Sequence, residues 1–124
     1  MLNKNNALLT AGAFGFLAVA IGAFGAHSLE GKISAPMIAS FKTGSLYHLI
    51  HSVVLLTIAF QFDKKLKSAF LFFSSGIILF SFSLYIYAVT SVKVFAMITP
   101  FGGVSFLIGW GLIIFYGLKI KKVK

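Results

Sequence analysis

The chain has 124 residues, 59% hydrophobic and only 10% charged, with a formal net charge of +9. Soluble domains carry roughly 25% charged residues, and one this small needs far more polar surface to cover itself. That excludes an ordinary water-soluble enzyme, a disordered tail and a nucleic-acid module, and leaves a single integral membrane domain over 1–124.

The chemical inventory is thin. The chain has no cysteine or arginine, and its only acids are Glu30 and Asp63. A disulfide framework, a thiolate nucleophile and a paired-carboxylate site are therefore not expected. The reading is of a protein that is not an enzyme and holds no cofactor or metal.

Four segments reach the roughly 20 apolar residues that a bilayer crossing requires. They cover about 7–26, 44–62, 68–90 and 100–118. Backbone groups in lipid must be satisfied within the segment, so all four are predicted helices. The fold class is all-α, an antiparallel four-helix membrane bundle. The first segment is too long for a signal-peptide core and lacks a convincing small-x-small cleavage site, so it is expected to stay as a span. Its small residues Ala11, Gly15, Ala18, Gly22 and Ala26 fall on one face, a stripe that suits close helix packing better than a pore lining.

Between the first two spans, Ile33, Met37 and Phe41 recur every four residues, and Ser34 with Pro36 suits a helix start. An amphipathic interfacial segment is predicted over about 33–43, either separate from the second span or continuous with it. On the second span Gly44, Tyr47, His48, His51 and Ser52 share an arc from which Thr57 points away. On the third, Ser74, Ser81 and Tyr85 share a face. On the fourth, Thr99-Pro100 reads as an N-cap followed by the first helical residue, in preference to a helix starting nearer Phe95 with Pro100 inside it. Gly102, Ser105 and Gly109 form its predicted packing seam.

The lysines bracket the apolar runs instead of interleaving with exposed aromatics, so they read as topology determinants and not as a nucleic-acid surface. Lys4, Lys64, Lys65, Lys67, Lys119, Lys121, Lys122 and Lys124 fall on one side, and Lys32, Lys42 and Lys93 on the other. The positive-inside rule then puts both termini in the cytoplasm, with the chain multi-pass in the plasma membrane.

Polar groups inside spans are costly and point toward function. With that orientation His27, Tyr47, His51, Tyr85, Thr99 and Gly102 gather at one depth, in the outer leaflet, and form the candidate cluster. His48 and His51 at i,i+3 invite a shared metal or haem. No carboxylate other than Glu30 and no thiol is near, and interhelical hydrogen bonds account for the histidines without an ion. A proton relay lacks an acid chain through the inner half.

The residues also resemble a known family. Gly22-Ala23-Phe24-Gly25-Ala26-His27 looks like the GAFGAH signature of the small four-span proteins called domain of unknown function 423. Thr43 to Leu56, with Tyr47 and His51, resembles that family's T-x-x-x-Y-x-x-x-H-x-x-x-L-L block, and Ser83-Leu84-Tyr85 its S-L-Y block. Ile98-Thr99-Pro100-Phe101-Gly102-Gly103 followed by Gly109-Trp110 resembles its ITPxGG…GW block. In such relatives the position of His48 is often glutamine, which speaks against an essential histidine pair. The resemblance implies a bacterial multi-pass plasma-membrane protein and carries no activity with it.

Two functions fit these residues. The first is a non-enzymatic accessory or scaffold subunit, or a homo-oligomer, whose partners are the lipid bilayer and further copies or a larger membrane complex, with no nucleic acid. The alternative is a binding or transport protein with an outer-leaflet pocket for a lipid, quinone or small solute.

Overall fold

The computed structural model of the chain describes residues 1–122, and every regular element among them is helical. Four long helices run Lys4–Leu29 (α1), Ala35–Gln61 (α2), Lys64–Thr90 (α3) and Lys93–Lys122 (α4). Each is long and apolar enough to cross a bilayer.

The helices outrun the apolar segments because polar caps start them earlier. Asn3 Oδ1 accepts from the Asn6 N–H at 2.9 Å and opens α1. Ser34 Oγ accepts from the Met37 N–H at 3.4 Å, with Pro36 in the first turn of α2. The segment 33–43 is accordingly not a separate interfacial element: from Ala35 onward it forms the first turns of one unbroken 27-residue helix. Gly44, where the second span was expected to begin, does not interrupt it. A mid-helix glycine costs about 1 kcal/mol, offset here by close packing on α3, where an added Cβ would lie 3.1 Å from the Ser81 carbonyl oxygen and the Leu84 Cβ.

The predicted helix start at Thr99-Pro100 is wrong. Helix α4 begins at Lys93 and Pro100 lies inside it. Proline there leaves the carbonyl four residues back, that of Ala96, without its helical donor. Thr99 is no cap either. Its hydroxyl donates to the Phe95 carbonyl at 3.3 Å, the back-bonding pattern of a threonine within a helix. Membrane helices tolerate interior proline when neighbouring groups re-satisfy the backbone.

Short connections follow from positive-φ residues. Gly31 (φ 80°) turns the chain after α1, Phe62 (φ 21°) ends α2, and Ser91 (φ 57°) ends α3. Asp63 Oδ1 accepts from the Lys65 N–H at 2.9 Å and caps the single 3₁₀ turn that opens α3.

Packing joins helices that follow one another in the chain: α1 on α2, α2 on α3, and α3 on α4. The pairs are antiparallel, as paired positions show. Phe14 meets His48 and Gly25 meets Phe41 between α1 and α2. Gly44 meets Leu84 and His51 meets Phe73 between α2 and α3. Gly102 meets Phe80 and Gly109 meets Phe73 between α3 and α4. The central pair is the more enclosed, with 39% and 44% of the apolar windows of α2 and α3 buried against 17% and 22% for α1 and α4. Leu55, Phe70, Phe73 and Ile77 are the largest wholly buried apolar side chains.

Two π-helical turns, Ala20–Gly25 in α1 and Ile77–Phe82 in α3, change the register within a helix. In α1 the buried face runs Ala7, Ala11, Ala18. It then meets α2 at Gly22 and Gly25, against the Ser45 hydroxyl and the Phe41 ring. At Gly15, a member of the predicted stripe, an added Cβ would find open space for 4 Å.

Candidate functional site

The second helix aims its two internal histidines at different neighbours. His48 is wholly buried. Its Nδ1 lies 2.8 Å from the Tyr85 hydroxyl on α3, and its ring meets Phe82 and Phe14 edge-on at 5.4 and 6.1 Å. Its Nε2 has no partner within hydrogen-bond geometry. A Tyr85 O–H donating to Nδ1 leaves the proton on Nε2.

His51 sits one turn further along, between α3 and α4. Its Nδ1 lies 2.7 Å from the Tyr47 carbonyl. A carbonyl only accepts, so Nδ1 carries the proton, as its partner requires. The Trp110 indole N–H then donates to Nε2 at 3.1 Å. Both nitrogens of a neutral imidazole are thus occupied. The ring is stacked on Phe106 at 3.8 Å and 10°, with Phe73 and Trp110 at 5.6 and 5.9 Å. The two histidines therefore do not converge on a shared ion. Among the described residues no three His, Cys, Asp or Glu side chains come together as a metal site.

Five of the six residues of the candidate cluster fall in three places, and the sixth, His27, stands apart. Tyr47 and His51 line an open groove of about 400 Å³ together with Pro100, Phe106 and Trp110. Tyr85 lies with His48 and packs on Phe41 at 5.0 Å. Thr99 bonds the Ser83 hydroxyl at 2.6 Å across the α3–α4 seam, and Gly102 is pressed so closely onto the Phe80 backbone that no Cβ fits. His27 joins none of them and is exposed near the end of α1.

Several partners went unread in the sequence. Trp110 and Phe106 follow Gly102 at helical spacing, a pattern that could have shown them facing α2 and α3 with it. Ser105, already placed on the α4 seam with Gly102 and Gly109, does meet α3, and what went unread is its acceptor, the Phe72 carbonyl at 2.7 Å. At the lysine-rich end, the Tyr116 hydroxyl donates to Asp63 Oδ2 at 2.8 Å and fastens α4 to the α2–α3 turn. The Lys65 N–H, and after it the Tyr116 hydroxyl, hold the Asp63 carboxyl below its ordinary range. An acid in a turn followed by lysines was the available signal. Its aromatic partner, 53 residues away, was not readable.

Four apolar helices, with polar side chains turned onto one another, define a multi-pass helical membrane protein. The comparisons agree. The family model described as Protein of unknown function (DUF423) matches residues 21–103, and the chain belongs to that family. The UPF0382 membrane protein YwdK of Bacillus subtilis is 44% identical over 108 residues, covering 83% of this chain and 88% of its own. The UPF0382 inner membrane protein YgdD of Escherichia coli K12 is 36% identical over 119 residues, covering 93% and 91%. A UPF0382 membrane protein of Haemophilus influenzae is 38% identical over 123 residues, covering 97% and 99%. No solved structure matches.

Proposed function

We propose that this protein is a non-enzymatic membrane subunit that acts by packing its helices against further membrane helices, in a homo-oligomer or as the accessory subunit of a larger complex. The observation that carries this reading is the open small-residue surface of α1. An added Cβ at Gly12 or Gly15 meets nothing within 4 Å. These two glycines line a shallow groove of about 240 Å³ shared with Leu49, Val53 and Leu56 of α2. Lipid drives helices together weakly, and small residues allow the close approach on which association depends. The polar side chains add support, because His51, Tyr85, Ser83, Ser105 and Tyr116 are engaged within the chain. We further propose a plasma-membrane location with both termini cytoplasmic, on the lysine asymmetry.

The chain has no native cysteine, so a single one gives a clean test. Gly12→Cys or Gly15→Cys in native membranes is expected to cross-link to a second copy or a heavier partner, while Leu118→Cys is not. Absence of any adduct from both glycine positions contradicts the reading.

The groove at Tyr47, His51, Pro100 and Trp110 favours a second reading, the binding or transport of a lipid, quinone or small solute. Under it, His51→Ala abolishes co-purification of a defined small molecule while the helices stay folded. Unchanged ligand content in that variant removes this alternative.

A further inference from the structure

By sequence, eight of the eleven lysines flank the apolar runs on the side of the two termini and the α2–α3 turn. Two of them line one recess. Lys65 at the start of α3 and Lys119 near the end of α4 enclose about 260 Å³ together with Ser68, Leu112, Phe115 and Tyr116. The Lys119 ammonium stands 4.6 Å over the Phe115 ring, which holds it beside the recess instead of free in solvent. Asp63, the one acid of the turn, has its carboxylate taken by Tyr116 and the Lys65 backbone N–H.

On the other side of Tyr116 runs a second groove of about 360 Å³, toward the bilayer centre between α2 and α4, walled by Val54, Ile58, Ile113 and Trp110. Helices α2 and α4 share no extended packing, so the groove stays open. Tyr116 belongs to both hollows. A cationic recess at the end of a span, joined through one side chain to an apolar furrow along it, has the polarity sequence of a phospholipid.

We propose that this end of the chain seats one anionic phospholipid, its phosphate between Lys65 and Lys119 and an acyl chain in the furrow beyond Tyr116. Two cations suit an anionic headgroup over a zwitterionic one, and the furrow requires a hydrocarbon chain that free phosphate lacks. Basic pockets between spans at the cytoplasmic face bind such headgroups by this combination of charge and apolar contact.

The test uses the full chain in bilayers of equal phosphatidylglycerol and phosphatidylethanolamine, with retained lipid read by native mass spectrometry. Wild type is expected to keep one phosphatidylglycerol. Each lysine contributes about fivefold, so Lys65→Gln with Lys119→Gln should lower retention about thirtyfold, and either single change about fivefold should the double variant fail to fold. Lys32→Gln with Lys42→Gln, at the opposite end, should retain lipid as wild type does. Val54→Phe, which fills the furrow, should weaken retention with both lysines intact. The proposal is overturned by full retention in the Lys65/Lys119 variant, by equal loss in the Lys32/Lys42 variant, or by displacement of the lipid by millimolar glycerol phosphate, which would assign the recess to a free phosphate.

Discussion

Trp110 makes a single polar contact, to the Nε2 of His51 that the Tyr47 carbonyl leaves as an acceptor. Trp110→Phe keeps one aromatic ring facing Phe73, which the indole meets at 5.1 Å, and removes the N–H together with part of the ring. The lost hydrogen bond should cost roughly 0.6–1 kcal/mol in a thermal or denaturant titration in detergent, with the lost ring contact adding to it. A loss several times larger would mean that the indole does more than donate one bond. Asp63 offers a sharper test through pH. Its carboxyl is held below its ordinary range, the Lys65 N–H being the main cause. A lowered folded-state pKa stabilises the fold above the unfolded value, and that stability disappears as pH falls through the folded value. The melting temperature should therefore drop on acidification below about pH 4, and Asp63→Asn should remove that dependence while lowering the plateau at neutral pH. Glu30 is the only other acidic side chain, so the titration is readable in the intact protein. An unchanged acid limb in the Asn variant would place the transition elsewhere.

Helix packing is where small changes act most strongly. A methyl group at Gly102 would collide with the Phe80 backbone, and one at Gly109 would lie 2.7 Å from the Phe73 ring. Gly102→Ala should thus cost about 1–3 kcal/mol, whereas Gly12→Ala, facing open space, should leave the monomer's melting temperature within error. Equal effects at the two positions would mean that α4 does not pack on α3 in this register. Hydropathy and the period of small residues made the four helices and the packing seam on α4 readable from sequence, while the helix that the seam meets was not. The start of α4 was misread because Thr99-Pro100 has the chemistry of a cap, while the residues before it, Lys93 to Ile98, are themselves helix-compatible and apolar enough to continue. The π-helical turns left no trace in the residue pattern, because an extra residue in one turn rotates every later side chain without changing its type. Depth along the membrane could be read from the spans, but the direction of each side chain around its helix could not. His48 and His51 share a predicted arc on α2 and both meet α3, yet His48 also packs on Phe14 of α1 and His51 on Phe106 and Trp110 of α4.

The whole chain is two enclosed helices flanked by two that face outward. Helix α1 presents Leu9, Phe16, Val19 and Phe24 at 60–75% exposure, and α4 presents Met97, Phe101, Leu107 and Ile114 at 66–70%. Lipid covers such aliphatic and aromatic faces without penalty, so they are not by themselves an interface. Both helices carry glycines that face open space, Gly12 and Gly15 on α1 and Gly111 and Gly117 on α4, and the pair on α1 lines a groove with Leu49, Val53 and Leu56 of α2. If the chain assembles through α1, filling that face should dissociate it without harming the fold. The most direct measurement is therefore the mass of the intact protein released from native-like lipid particles, for wild type and for Gly12→Leu with Gly15→Leu. The account predicts wild type in a complex with a second copy or another membrane protein, and the leucine variant as a folded monomer. A wild-type chain that leaves the bilayer only as a monomer contradicts it.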